Sequence, residues 1–559
     1  MERWGEIIMK KIRFLLALST ILALLLSSQG ALACTIFAVG KDATTDGSTI
    51  VSHNDDSTSA DYRLWIIPSM EGGDGITRDL VVDSHNYGDY SNFPYKKDYG
   101  GGYTVGSLDQ PEDTYAYLHS RYSFINEKGV AMGESTFGFD LEGNEQGKKV
   151  YDIIYGSNLG LIDCWSAQDI ALERATTARE AVEIMGQLID TYGWGDLGET
   201  MNICDGEEVW IFEAYGAGLW CAVRMPSDSF FVAANFARIN YIDFEDSENY
   251  LYSDNIKSFA IENGLWSENS GEPFQPNRIY APETPNPYSQ RREWRGITLA
   301  APSLLAELTP DQESYPLFVV PDEKLSVQDI FEFSGDYYAG TDYDVTLSGF
   351  AGDFGNPLSG YNAERTINVR NTCYLQISQI KGWLPDEAKC LVWYGYGAPH
   401  SSFLTPLWAS QTKLPELYST GTRYDKLDRN AGWWINSYVQ QVATINYNYA
   451  IEAIKAVRDG RMDAQYEYVA LLQEQAAAMI ESGNTEAAVK LLTDYACANA
   501  EEWYDLWLDL GDQLMSDLMW GYVDYSRPEI SAWYNNMIEN GGLKPLEGNE
   551  SVEIEAWED

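Results

Sequence analysis

The sequence is poor in histidine and in basic residues. It holds 4 His and 37 Lys and Arg against 85 Asp and Glu in 559 residues, for a formal net charge of −48. Because such a surface repels nucleic-acid phosphates and anionic lipids, we expect neither as a partner. The acidity fits cationic substrates or a saline habitat, but solubility outside the cell is the simpler interpretation.

Metal-binding motifs are missing as well. No Cys-x-x-Cys or His-Glu-x-x-His pattern occurs, and four histidines are few for a zinc centre. The sequence therefore predicts neither a metal nor a cofactor.

Long apolar runs are missing after the first 33 residues. Basic residues at 10–13 precede an apolar run at 14–26, which is too short for a comfortable membrane span, and Ala-Leu-Ala at 31–33 fits a cleavage site. We therefore predict a cleaved signal peptide over residues 1–33, and a secreted or cell-envelope protein without a stable membrane span.

Cleavage there would make Cys34 the first residue of the mature protein. Its α-amine, with a reference pKa of ~8, could take the proton of its own thiol, whose reference pKa is ~8.5. The thiolate could then attack a carbonyl and form an acyl-enzyme. Bacterial lipoproteins are also acylated at such a cysteine, but Ala31 and Leu32 fit the lipoprotein pattern poorly.

Six further cysteines could form up to three disulfides in an oxidising compartment, or remain buried free thiols. Cys204 with Cys221, and Cys373 with Cys390, lie in predicted neighbouring strands and are the candidate pairs.

A hairpin is predicted directly after the cleavage site. Residues 34–39 and 48–54 have strand character, and Asp46-Gly47 between them is a turn signal. The hairpin would bring the polar cluster at 53–56 back towards Cys34.

The chain changes character near its C-terminus. Residues 470–480 and 485–520 are strongly helical, with Gly483-Asn484 between them. We predict a helical C-terminal region that ends in an acidic tail.

Eight segments resemble the N-terminal-nucleophile cysteine dipeptidases of the dipeptidase A type, relatives of penicillin V acylase and choloylglycine hydrolase. They occur in the family's order between about residues 34 and 445, so the resemblance implies one domain over residues 34–445 and leaves a helical region over 446–559. The segments are residues 34–56, 126–133, 172–182, 231–235, 292–295, 340–344, 383–386 and 392–395.

The resemblance implies an α+β fold, a four-layer αββα sandwich, here with a C-terminal helical extension. It also implies hydrolysis of small peptides without a metal. By position, Cys34 matches the nucleophile and base, Asp56 the carboxylate that orients the α-amine, and Asn235 an oxyanion donor. Arg292 matches the active-site arginine, with Arg295 as a close competitor that could bind substrate.

Two positions depart from the acylase relatives. His53 stands where they have an arginine, and Thr136 falls near their second oxyanion asparagine; we expect both to bind substrate. These differences argue against an acylase-like substrate preference rather than against the mechanism.

The sequence therefore predicts an exported cysteine dipeptidase, and it is compatible with a homo-oligomer. The alternatives are an amidase for N-acyl amino acids or bile-salt-like conjugates, and a lipid-anchored binding protein without catalysis.

Overall fold

Two antiparallel sheets form the centre of the protein. A computed structural model describes residues 34–57, 62–73, 75–82, 103–138, 144–154, 160–282, 286–347, 353–358, 364–421 and 426–519. The first sheet contains strands β1 (Ile36–Val39), β2 (Thr49–Asp56), β12 (Phe230–Ala233), β14 (Thr372–Ile380), β15 (Cys390–Tyr396) and β16 (Thr405–Trp408). Their order is β12-β1-β2-β14-β15-β16, and every pairing is antiparallel.

The second sheet has eight strands. They are β3 (Trp65–Ile67), β6 (Tyr117–His119), β7 (Ile125–Asn126), β8 (Ala131–Phe137), β9 (Gly198–Cys204), β10 (Val209–Gly216), β11 (Leu219–Arg224) and β13 (Tyr250–Tyr252). Their order is β13-β11-β10-β9-β8-β7-β6-β3. Strands β4 (Thr77–Val82) and β5 (Tyr103–Asp109) form a separate ribbon.

Helices surround the sheets. They are α1 (Glu145–Ile154), α2 (Cys164–Arg174), α3 (Ala178–Tyr192), α4 (Ile256–Glu262), α5 (Pro276–Tyr280), α6 (Pro287–Ala300), α7 (Val327–Ser334), α8 (Asp386–Lys389), α9 (Glu416–Ser419), α10 (Gly432–Ala443), α11 (Tyr447–Glu481) and α12 (Thr485–Leu518). Short 3₁₀ turns cover Pro302–Ala306, Asp353–Gly355 and Pro399–Ser401. The chain is thus mixed α and β with antiparallel sheets, which confirms the α+β class.

The predicted hairpin at the start of the described chain is confirmed. Strand β1 pairs with β2, with Ala38 opposite Val51, and a bridge joins Thr35 to Asn54. Gly47 in the turn has φ +84°, a conformation that glycine adopts without steric cost. The polar residues 53–56 therefore return to the level of Cys34.

Asn202 joins the two sheets. Its Nδ2 donates to the carbonyls of Phe37 at 2.7 Å and Ser52 at 3.1 Å in the first sheet. Its Oδ1 accepts from the backbone N–H of Gly133 in the second sheet at 2.7 Å. Because side chains alternate along a strand, Met201 and Ile203 point the other way, into a core shared with α2 and α3.

Capping explains the bounds of α2 and α3. Thr177-x-x-Glu180 has the spacing that is typical of a helix start, and Thr177 caps α3, which stops at Gly193 with φ +74°. Ser166-x-x-Asp169 has a similar spacing, but α2 begins at Cys164, because Asp163 accepts a hydrogen bond from the Ser166 backbone N–H and serves as the cap.

The helical C-terminal region packs on the first sheet. The two predicted helices are α11 and α12, although α11 begins at Tyr447, well before the predicted start. Phe403 stacks on Trp503 with ring centroids 4.7 Å apart, and Trp393 meets Tyr466 at 4.6 Å. Among the described residues, no helix is both long and apolar enough to cross a membrane. The predicted signal peptide and acidic tail lie outside the described residues.

The proposed disulfide pairs are wrong, since all seven cysteines are buried free thiols. Cys204 and Cys221 lie on β9 and β11, which are separated by β10. Cys373 and Cys390 lie at opposite ends of the β14–β15 pair, where Ile380 faces Cys390. Disulfide geometry needs Cα atoms within about 7 Å, which neither arrangement provides.

Candidate active site

Cys34 lies directly before β1 and is fully buried. Its Sγ donates a hydrogen bond to Oε1 of Glu134 at 3.2 Å. Glu134 is on β8, and β8 packs across the sheet interface from β2. The face-to-face stacking of two sheets therefore brings together a thiol and a carboxylate from distant parts of the chain.

Glu134 is one of a pair of buried carboxyl groups that differ in ionisation. Burial alone would raise the pKa of Glu134, but His53 and several hydrogen bonds outweigh it, so its pKa is lowered. Burial, together with the negative charge of Glu134, raises the pKa of neighbouring Glu199 well above its usual range. Glu134 is therefore the stronger acid of the pair.

His53 completes a triangle with Cys34 and Glu134. Its Nε2 lies 3.1 Å from Oε1 of Glu134, and its Nδ1 lies 3.3 Å from the hydroxyl of Tyr374. The edges of Tyr122 and Tyr374 pack against the imidazole with ring centroids 5.3 and 5.5 Å away. The ring is thus held in one orientation, and it is 1% exposed.

These surroundings keep the Cys34 thiol protonated. Burial raises its pKa well above the usual range, and the charges of Glu134, Asp55 and Asp56 raise it further. Burial also raises the pKa of Asp55 to about 7, against the opposing effects of His53 and Arg121. Neither carboxylate oxygen of Asp55 has a hydrogen-bond partner among the described residues.

Asp56 is bound more firmly than Asp55. Its Oδ2 accepts from Arg365, and its Oδ1 accepts from the Thr372 hydroxyl at 2.5 Å. Burial raises its pKa, while Arg365 and Thr372 oppose that shift. Two donors, Arg365 and Thr372, therefore already hold the Asp56 carboxylate, which lies near Cys34.

Arg292 on α6 ties the start of β1 to the end of β12. Its Nη1 donates to the Cys34 carbonyl at 2.8 Å and to Oγ1 of Thr35 at 2.9 Å. Its Nη2 donates to the carbonyl of Ala234 at 3.1 Å and to Oδ1 of Asn235 at 2.8 Å. Burial and the nearby charge of Arg365 lower its pKa to about 10.

Asn235 lies two residues after the end of β12 and has a left-handed backbone conformation, with φ +62°. Its backbone N–H donates to Oγ of Ser135 at 2.8 Å, and its Nδ2 donates to the carbonyl of Thr136 at 2.6 Å. The Thr136 hydroxyl donates to Oε2 of Glu134 at 3.4 Å. Asn235 and Thr136 therefore both belong to the network around the thiol.

Arg295 is placed differently from the other predicted site residues. One turn along α6 from Arg292, it binds Asp336 through two hydrogen bonds of 2.9 and 2.7 Å and donates to the Ala339 carbonyl at 2.9 Å. The structure thus places Cys34, His53, Asp56 and Arg292 in one cluster, and Arg295 in a separate ion pair.

Sequence reasoning missed Glu134, Asp55 and Arg365. Glu134 lies within the apolar strand β8, and a carboxylate in an otherwise buried strand is the signal that could have identified it. Asp55 was read only as part of the polar cluster at 53–56. Arg365 has no local signal, because only the tertiary fold brings it to Asp56.

The cluster combines a buried cysteine with ionisable partners, which is the arrangement of a cysteine hydrolase. The sequence profile of peptidase family C69 matches residues 33–460, so the chain belongs to that family and is a cysteine peptidase.

Curated relatives carry matching names. A "Probable dipeptidase" of Latilactobacillus sakei is 26% identical over 432 residues, covering 74% of this chain and 82% of the relative. A "Probable dipeptidase" of Salmonella dublin is 26% identical over 393 residues, covering 67% and 81%. A "Dipeptidase" of Bifidobacterium longum is 24% identical over 482 residues, covering 82% and 86%.

Proposed function

We propose that this protein is an exported dipeptidase that cleaves dipeptides through an acyl-enzyme on Cys34, using the α-amine of Cys34 as the base. The observation that carries the proposal is the Cys34 thiol, held by Glu134 at the start of β1 and surrounded by ionisable groups, in a chain of peptidase family C69. We also propose that the two sheets and their helices form the four-layer αββα sandwich of N-terminal-nucleophile hydrolases.

Removal of residues 1–33 would then activate the enzyme. While Cys34 is joined to a preceding residue, its nitrogen is an amide and cannot act as a base, and the acidic surroundings keep the thiol protonated. Cleavage creates an amine on the same residue as the thiol. Asp55 and Asp56 are both close enough to influence the thiol, so either carboxylate could orient that amine.

In the first half of the reaction, the α-amine takes the thiol proton and the sulfur attacks the scissile carbonyl carbon. The oxygen becomes an oxyanion, for which the Asn235 side chain is the proposed donor. The C–N bond breaks as the α-ammonium returns its proton to the leaving amine. A thioester to Cys34 remains and the second amino acid departs.

In the second half, the amine takes a proton from water, and the hydroxide attacks the thioester carbonyl. The C–S bond breaks, the thiol regains a proton, and the first amino acid leaves. No oxidant, reductant or metal enters this balance.

The charge around the thiol favours a free dipeptide over an N-acyl conjugate. A dipeptide carries an α-ammonium group close to its scissile bond, and an N-acyl amino acid does not. The carboxylate of Asp55 is fully buried without a hydrogen-bond partner among the described residues, and it lies close enough to influence Cys34. An ammonium ion would supply the charge and the donors that this carboxylate needs.

The test compares processing and substrate choice in the exported protein. Intact mass and N-terminal sequencing should show Cys34 as the first residue, and an added diacylglycerol mass would instead support the lipid-anchored alternative. Free dipeptides should be cleaved faster than their N-acetylated forms and faster than bile-salt-like conjugates. Faster cleavage of the acyl compounds would favour the amidase.

A matched pair of variants tests the nucleophile. Cys34→Ser should lose nearly all turnover, while Cys497→Ser, a buried thiol on α12, should keep it. Full activity in Cys34→Ser would disprove the assignment.

A further inference from the structure

Three different metal-ligand types converge at the start of β1. Cys34 Sγ, His53 Nε2 and a carboxylate oxygen of Glu134 all lie within 4.8 Å of one another, and all three residues are buried. The Cys34–Glu134 separation is 3.2 Å and the His53–Glu134 separation is 3.1 Å.

These separations approach those around one tetrahedral zinc ion. Zinc lies about 2.3 Å from sulfur and about 2.0–2.2 Å from nitrogen or oxygen, so neighbouring ligand atoms are about 3.3–3.6 Å apart. The two measured separations, 3.2 and 3.1 Å, are shorter than these values by a few tenths of an ångström. The mixed sulfur, nitrogen and oxygen set favours zinc-like cations over Mg²⁺ or Ca²⁺, which prefer oxygen.

The imidazole of His53 provides the second observation. Its Nε2 lies 3.1 Å from Oε1 of Glu134 in an ion-pair contact, and it has no further hydrogen-bond partner among the described residues. Its Nδ1 is held by Tyr374 at 3.3 Å. Metal-binding histidines commonly use the second ring nitrogen in this way, which fixes the tautomer that presents a lone pair to the ion.

Charge balance also favours a divalent cation. A thiolate at Cys34 and a carboxylate at Glu134 together carry two negative charges in a buried space, and one divalent ion neutralises both. Binding would release the thiol proton to solvent. If Cys34 is the mature N-terminus, its α-amine and thiol form a five-membered chelate, which would supply a fourth ligand.

We propose that Cys34, His53 and Glu134 form an inhibitory site for one zinc-like divalent cation, which binds the nucleophile and silences it. The ion is an inhibitor and not a cofactor. Metal binding rests on the triangle alone, whereas the consequence for turnover rests on the proposed function.

Cobalt is the direct probe. Titration of the exported, mature protein with Co²⁺ should give one bound ion per chain and a thiolate-to-cobalt charge-transfer absorption, and Zn²⁺ should displace the cobalt. Binding without that absorption, or no binding at all, would overturn the proposal.

Variants locate the ion. Cys34→Ser should abolish the charge-transfer band, and His53→Gln and Glu134→Gln should weaken binding by more than about tenfold. Circular dichroism and thermal unfolding identify any variant that has not folded. If a variant has not folded, the test is whether Zn²⁺ protects Cys34 of the wild-type protein against alkylation. Absence of protection overturns the proposal.

Cys164→Ser is the matched control. Cys164 is also buried near Glu134, in a second cluster with Glu199, so it is the competing thiol. The variant should bind cobalt as the wild type does. Loss of the band in Cys164→Ser but not in Cys34→Ser would place the ion in the second cluster and overturn the proposal.

Zn²⁺ should also inhibit dipeptide hydrolysis in proportion to occupancy, with recovery on adding a chelator. A protein that binds cobalt through Cys34 but cleaves no dipeptide would refute the proposed function and leave the metal site standing. A protein that cleaves dipeptides but binds no metal would refute the metal site and leave the proposed function standing.

Discussion

The thiol of Cys34 donates to Glu134 at 3.2 Å although the two residues are 100 positions apart in the chain. The negative charge of Glu134 and this hydrogen bond both favour the protonated thiol. The carboxylate that holds the Cys34 thiol in place therefore also disfavours its ionisation.

Neutralising Glu134 should make the thiol more acidic. Glu134→Gln removes the charge but leaves an acceptor, so the Cys34 pKa should fall. The pH dependence of alkylation by iodoacetamide measures this in the mature protein. Glu199→Gln is the control, since burial and the charge of Glu134 raise the pKa of Glu199 well above its usual range. An unchanged or raised midpoint in Glu134→Gln would contradict the role of the charge.

Stability should fall as the pH rises from about 4 to about 7. Burial raises the pKa values of Asp55, Asp163 and Glu293 to about 7. Unfolded carboxyl groups ionise near pH 4, so between these values the native state binds more protons than the unfolded state. The free energy of unfolding therefore decreases through this window and levels off above it.

Asp55→Asn should flatten part of this decrease. Each pKa unit of difference corresponds to about 1.4 kcal/mol, so the Asp55 contribution should be a few kcal/mol. Urea unfolding at pH 4, 5.5, 7 and 8 measures it. A stability that rises with pH in the wild type would show that these three groups do not dominate.

Arg292 and Arg295 lie one turn apart on α6 and offer a matched comparison. Lysine cannot reproduce the donors that Arg292 directs to Cys34 and Asn235, so Arg292→Lys should lower kcat/KM by at least about tenfold. Arg295→Lys should have a smaller effect on kcat/KM, because Arg295 binds Asp336. Steady-state kinetics on one dipeptide decides, and an equal loss in both variants would argue against a special role for Arg292.

Asn235 can be tested separately from its backbone conformation. Asn235→Gly keeps the left-handed conformation and removes the amide, so kcat should fall by about 10²–10³-fold if the amide serves the oxyanion. Asn235→Ala should show the same kinetic loss and a further ~1 kcal/mol of instability, because the left-handed region is costly for a residue with a Cβ. Wild-type kcat in the glycine variant would exclude the oxyanion role.

Much of the fold could be predicted locally. The turn at Asp46-Gly47, the Thr177 cap and the break at Gly483 each follow from short-range chemistry, and the structure has each of them. The Cys204–Cys221 pair failed because β10 lies between β9 and β11, and the Cys373–Cys390 pair failed because the register of β14 and β15 puts the two residues at opposite ends. Helix α11 extends from Tyr447 to Glu481, well beyond the predicted 470–480.

The candidate site also has one part that the local sequence predicts and another part that depends on the tertiary structure. The sequence by itself determined the candidate nucleophile Cys34, the cluster at residues 53–56 and the hairpin that joins them, because a tight turn connects them. Only the tertiary structure decided that Glu134 faces the thiol, that Arg365 neutralises Asp56, and that Arg295 is engaged with Asp336. Each of these contacts depends on how the strands order within a sheet and how two sheets stack, and no short stretch of sequence encodes that arrangement.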